Sequence, residues 1–146
     1  MSASTLVKSF VPEAWRPALR RQYERTRHFG WRRHCNICAS HLRGFLAHGT
    51  PSEADFLCPV CRSKPPHRLA AVYFDAHPDI FVREGVFVHI APEPGLKQVL
   101  QRKTARARMR YRWGGITGQG EQHLNLLNLP FEDGTVDAMY CCHVLN

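Results

Sequence analysis

Four cysteines carry the clearest chemistry in this chain. Cys35-Asn36-Ile37-Cys38 and Cys58-Pro59-Val60-Cys61 are two C-x2-C pairs with nineteen residues between them, a spacing typical of zinc ribbons. Zn²⁺ takes four soft ligands in a tetrahedron, and a two-residue spacer lets both thiolates of a pair face one point. His34 and His41 flank the first pair and are alternative ligands, but four thiolates already fill the shell. A catalytic zinc keeps one position open, so Cys35, Cys38, Cys58 and Cys61 point to a structural metal. Cys141, Cys142 and His143 could be read as a nucleophile and its base. Adjacent strand residues point to opposite faces, which argues against that reading.

The second stretch that could do chemistry is the turn Ala91-Pro92-Glu93-Pro94-Gly95. Val86 to Ala91 is an apolar, β-branched run of the kind that forms a buried strand. Leu96, Val99 and Leu100 then recur at helical spacing. Strand, tight turn and helix together open a doubly wound α/β sheet, in which ligands bind at the carboxyl ends of the strands.

The remaining elements must hold these two centres. Residues 1–33 read as a basic tail and helix, 34–64 as a zinc ribbon and 65–146 as an α/β unit. Pro17 starts the first helix near Trp15 or Arg16, and Trp15, Leu19, Tyr23 and Phe29 give it one apolar side, which could lie on a membrane surface but is read as packing on the domain. Between the cysteine pairs, Leu42 to Leu46 suggests a short strand and Gly49-Thr50-Pro51 a turn. His67 to His77 reads as a helix bounded by prolines, with Leu69, Val72 and Tyr73 inward. Ala105 to Trp113 alternates small or apolar residues with arginines, which predicts a strand with one basic face. His123 to Leu127 and Val136 to Val144 are two further strands, the last one buried.

Composition narrows the setting. Hydrophobic residues make up 44% of 146, enough for a packed core. No apolar run reaches the ~18 residues that a membrane helix needs, and no signal-peptide core opens the chain. A cytoplasmic protein without membrane association is expected, with its six cysteines bound to metal or free rather than paired. The net charge is +8; residues 1–34 hold eight Lys/Arg and residues 97–112 seven. Such clusters meet phosphate backbones or acidic partners, or form solvated surface. Without an aromatic-rich RNA-binding signature, solvated surface is favoured.

One run of residues is recognisable. Leu124-Asn125-Leu126-Leu127-Asn128-Leu129-Pro130-Phe131-Glu132-Asp133-Gly134-Thr135-Val136-Asp137 resembles the D-x-x-x-LPF-x-D-x-x-F-D stretch of class I S-adenosylmethionine-dependent methyltransferases of the type 11-like group. Ala138 to Leu145 is similar to their strand-four segment ending in HVLEH. His89-Ile90-Ala91-Pro92-Glu93 looks like the hiAPE form of their first motif, found in a subgroup with a cysteine-rich N-terminal ribbon. The resemblance covers about residues 35–146.

The resemblance implies a fold and a function. The fold is α/β, a partial Rossmann-like sheet preceded by a small zinc ribbon and a helix, ending after strand four at Asn146. Right-handed crossovers in this family would put the four mostly parallel strands of residues 86–146 in the spatial order 3-2-1-4. The function is S-adenosylmethionine-dependent methyl transfer, weakened or lost if the sheet is truncated, to an acceptor that the sequence does not name. Ala91, Glu93 and Gly95 would face the methionine part of the cofactor. Asn125 stands where the family has an Asp accepting from the adenine amino group, and Leu129 and Phe131 would surround that ring. His143 would border the methyl group. Gly114-Gly115 stand where the family has an acid on the ribose hydroxyls. No residue is assigned as catalytic, which suits a reaction whose sulfonium is already activated. The alternative is a non-catalytic zinc-ribbon module that binds nucleic acid or protein.

Overall fold

The computed structural model describes residues 12–49, 54–116 and 120–142. The chain divides into two compact units, Met1–Lys64 and Pro65–Asn146. Among the described residues no helix is long and apolar enough to cross a membrane.

In the first unit a 3-10 turn, Glu13–Trp15, leads into α1, Arg16–Arg27. Pro17 sits in the first turn, where a missing N–H leaves no bond unmade, and Arg25 and Arg27 favour the negative end of the helix dipole. The packed apolar side expected of this helix is not found. None of its residues is buried, and Trp15, Leu19 and Tyr23 are exposed. The helix is tied to the unit through polar bonds from Arg25 instead. Phe29 does not extend it but opens β1, Phe29–Cys35, which pairs antiparallel with β2, Ser40–Leu42. Gly30 permits the pairing, because a Cβ there would lie 2.7 Å from Arg43 Cγ.

The strand expected at Leu42 to Leu46 is thus shifted. The Asn36–Ala39 turn of the first cysteine pair is itself the hairpin turn, so Ser40–Leu42 must pair with β1. Leu46 keeps a single bridge to Leu57. The chain between bends around Asp55, whose carboxylate accepts from Phe45 N and Arg33 Nε, each at 2.6 Å. Thr50 and Pro51 of the expected turn lie outside the described residues.

The second unit begins with α2, Pro65–Ala76, and a 3-10 turn, Pro78–Ile80. Then follow β3 (Val86–Ile90), α3 (Pro94–Arg106), β4 (Arg110–Gly115), β5 (Gln122–His123) and β6 (Ala138–Cys141). The four strands form one parallel sheet in the order β5-β4-β3-β6, the expected 3-2-1-4. β3 is flanked on both edges and all five of its residues are buried, as its apolar run requires. One face of it, Val86, Val88 and Ile90, joins Leu124, with Leu126, Leu129, Phe131, Val136 and Cys141 packed against them. On the other face Phe87 meets Phe74 of α2 edge-on and Phe81 in a stack.

Three local expectations are corrected. α2 buries His67, Ala71 and Phe74, not Leu69, Val72 and Tyr73. The large Phe74 ring fits between Phe87 and Tyr140, which turns Leu69 and Tyr73 toward an open cavity of about 650 Å³ bordered by Met139. Ala105 and Arg106 belong to α3, and the strand begins only at Arg110. A parallel crossover must carry the chain back along β3, and thirteen helical residues rise about 20 Å, which does so. Arg108 then turns the chain with φ 55°. Finally, the later strands are shorter than expected. Past β5 the chain turns at Asn125–Asn128, and β6 is an edge strand with Met139 41% exposed, not a buried one.

Candidate functional site

The first unit brings Cys35, Cys38, Cys58 and Cys61 into one cluster able to hold a metal ion, with all four Sγ atoms within 4.8 Å of one another. Cys35 to Cys61 is 3.7 Å and Cys38 to Cys58 3.8 Å. Metal–sulfur bonds of 2.3 Å in a tetrahedron give an edge of about 3.8 Å, so the geometry matches. Ala39 and Arg62, each just after a pair, adopt left-handed backbone at φ 53° and 61°. That conformation folds each pair back on itself.

Each pair continues as C-x2-C-x-S, a repeat the sequence reading passed over. Ser40 Oγ lies 3.2 Å from Cys38 Sγ and Ser63 Oγ 3.2 Å from Cys61 Sγ, and both serines are buried. Arg25 donates from Nε to Ser40 Oγ at 3.1 Å and from Nη2 to Cys38 O at 2.9 Å. A guanidinium therefore stands beside the first pair, where thiolates holding a metal would concentrate negative charge. Thiol contacts with Cys38, Cys58 and Cys61 pull the Cys35 thiol far down. Cys35 raises Cys38, but Cys58 and Cys61 outweigh it and bring that thiol to about 6. Cys58 and Cys61 are pushed up, by Cys35 foremost. Four thiols in contact resist losing every proton, and a divalent cation among them removes that resistance.

The second unit gathers Ala91, Glu93 and Gly95 on the turn from β3 to α3. Ala91 has φ 47° and donates its N–H to Gly114 O at 2.7 Å. Glu93 caps α3 and Gly95 is buried in its first turn. Glu93 Oε1 is 3.3 Å from His67 Nε2, and its Oε2 is 3.6 Å from Nε2 of the fully buried His89. That gap is too long for a hydrogen bond, and both atoms are buried without a hydrogen-bond partner. Burial raises the Glu93 carboxyl, but His89 foremost, with Glu93's own backbone N–H and His67 adding, more than offsets it and holds it below its ordinary value. Nδ1 of His89 lies 2.6 Å from Tyr111 Oη, whose hydroxyl burial pushes up, with the Glu93 charge adding. His67, His89 and Tyr111 were missed from sequence. The available signal was a histidine inside an otherwise apolar strand.

The other expected cofactor residues are dispersed. Leu129 and Phe131 pack on the Val86–Val88–Ile90 face. Asn125 Oδ1 accepts from Leu127 N at 3.0 Å, so the oxygen expected to meet an adenine already has a donor. Gly114 stands where an acid was sought, and a Cβ there would collide with Gln122 O, so pairing with β5 demands glycine. Asp137 accepts from Val86 N at 2.7 Å, at the opposite end of β3 from Ala91. Cys141 and Cys142 are half-buried, and burial raises the Cys141 thiol, which disfavours a thiolate nucleophile. His143 lies outside the described residues. Compared with known proteins, the chain matches no family model, no curated protein and no solved structure.

Proposed function

We propose that the four-cysteine cluster holds a structural zinc ion. We further propose that the second unit is a Rossmann-like sheet of the class I type that binds S-adenosylmethionine and transfers its methyl group. The metal reading rests on the sulfur tetrahedron, closed by four protein ligands. The methyltransferase reading rests on one observation, the parallel order β5-β4-β3-β6 with the Ala91–Gly95 turn at the carboxyl end of its central strand.

The residues at that turn fit the methionine end of the cofactor. Glu93 Oε2 is buried and lacks a hydrogen-bond donor, and an ammonium group is what such an oxygen takes. The left-handed backbone at Ala91 and the buried Gly95 would let a ligand approach main chain at the helix start. The adenosine end fits less well, since Asn125 is engaged and Gly114 admits no acid. Ala91, Glu93 and Gly95 would hold the methionine part, and Leu129 and Phe131 would offer apolar surface. The bound sulfonium supplies an activated methyl group. The chain itself supplies binding and alignment of the acceptor.

Calorimetry with S-adenosylmethionine and with its demethylated product tests the reading. Weak, saturable heat that disappears in Glu93→Gln is expected. No heat with either ligand at millimolar concentration overturns it.

A further inference from the structure

The hairpin of the first unit has a second face, on the side away from the cysteines. Register places His34 opposite His41 and Cys35 opposite Ser40. Successive strand residues alternate sides, so the two imidazoles share the face that Cys35 leaves. The register shift between Phe29 and Arg33 brings Trp31 to the same side, its ring 4.8 Å from His41. Phe29 meets Trp31 at 5.3 Å, and His34 meets His41 at 4.9 Å. Phe29, Trp31, His41 and His34 thus form an unbroken row of rings. The row lies open: Trp31 is 78% exposed and Phe29 48%.

The charge lies in the same unit. Residues 1–64 hold eleven Lys/Arg against four Asp/Glu, whereas residues 65–146 hold nine against eight. Nearly all of the net +8 is therefore carried by the unit with the ring row. A zinc–tetrathiolate centre lowers that charge by two and leaves the unit strongly basic. Arg32 is exposed on β1 itself, and Arg43 Nε donates to Phe29 O at 3.1 Å, which fixes a guanidinium at the main chain of the first ring residue.

We propose that this row is a stacking platform for single-stranded nucleic acid, with unpaired bases on Trp31 and Phe29 and phosphates on Arg32 and Arg43. Open aromatic faces can stack only on bases that are not already paired, and a basic surround tracks the backbone. A duplex would be met through its phosphates alone and would leave Trp31 without a role. A neutral or basic protein partner would leave the charge without one. The proposal uses no residue of the second unit, so it stands or falls apart from methyl transfer.

The test uses the full chain loaded with zinc. Its anisotropy titration covers labelled single-stranded RNA, single-stranded DNA and a duplex, each of about twelve nucleotides, at two salt concentrations. Single strands should bind more tightly than the duplex, with affinity falling as salt rises. Tighter binding of RNA than of DNA assigns the partner as RNA, and the reverse assigns DNA. Trp31→Ala should weaken single-strand binding roughly tenfold with zinc content unchanged, since the ring supports no core. Arg32→Glu should weaken binding and flatten its salt dependence. Three results each overturn the proposal: no binding at low salt, equal affinity for duplex and single strand, or an unchanged affinity in Trp31→Ala with zinc retained.

Discussion

Stripping the metal from the four-cysteine cluster should unfold the first unit and leave the sheet of the second intact. The magnitude follows from what else holds the first unit together. Apart from Cys35 and Cys58, its buried apolar side chains among the described residues are Ile37, Leu42, Leu57 and Val60. Burying a side chain of this size contributes about 1.5–3 kcal/mol, so the four together contribute roughly 6–12 kcal/mol. α1 adds none. A structural zinc contributes about 10–16 kcal/mol, as much as the whole apolar core, so its loss removes the largest single term. The second unit draws instead on β3, Leu96, Leu100, Leu124 and Phe74, none of which involves a metal. Hydrogen exchange with and without chelator reads this directly. The amides of Arg43 and Leu46, which donate to His28 O and Leu57 O, should lose protection. Those of Ala91 and Arg110, bonded to Gly114 O and Gly85 O, should keep it. Cys58→Ser should behave like the chelated protein and Cys141→Ser like the native one. Ribbon amides that stay protected in chelator, or protein purified without metal, would refute the reasoning.

Further outcomes are expected at single positions. Asp55→Asn should cost the zinc-loaded protein about 1 kcal/mol, a modest loss because the site is partly exposed. The Phe45 N–H foremost, with Arg33 adding, holds the Asp55 carboxyl below its ordinary value. Its contribution is complete above the unfolded pKa and is lost as pH falls through the folded one. Wild type should therefore lose stability below about pH 4 by a component that Asp55→Asn lacks, and identical acid profiles would contradict this. Gly114→Ala pushes a methyl group into Gln122 O and should cost about 1–3 kcal/mol, read from a urea midpoint that an incorrect register would leave unmoved. Phe74→Ala should cost about 3–5 kcal/mol and Leu69→Ala no more than about 0.5. Equal thermal shifts would mean that the wrong face of α2 has been placed against the sheet.

The cysteine cluster was legible in the sequence because local spacing sets it, and the strand order was legible only through the family resemblance of residues 86–146. Two C-x2-C pairs can close on one point by themselves. An apolar run followed by Pro-Glu-Pro-Gly stops a strand and starts a helix whatever lies around it. The choice of face on α2 was not legible, since His67–Ala71–Phe74 and Leu69–Val72–Tyr73 are both helical stripes. Only the space between Phe87 and Tyr140 decides between them. The boundary of α3 could have been read better. Alternating Ala and Arg from Ala105 has strand period, yet both are strong helix formers, and propensity prevails up to Arg106.

The row of rings escaped the sequence for a different reason. Phe29, Trp31, His34 and His41 share neither a helical nor a strand period. They meet only because the Asn36–Ala39 turn folds β2 onto β1 and a register shift moves Trp31 across the ribbon. Counted along the chain, the arginines therefore lacked an aromatic companion, although one is assembled in space. The same geometry makes the row depend on the metal. Cys35 and Cys38 bracket the hairpin turn, so an ion bound by them would fix the register opposing His34 to His41. Chelation should thus abolish single-strand binding along with ribbon protection, and adding back zinc should restore both together. Binding that persists in fully chelated protein would place the nucleic acid on the arginines of an unfolded segment and remove the platform from the account.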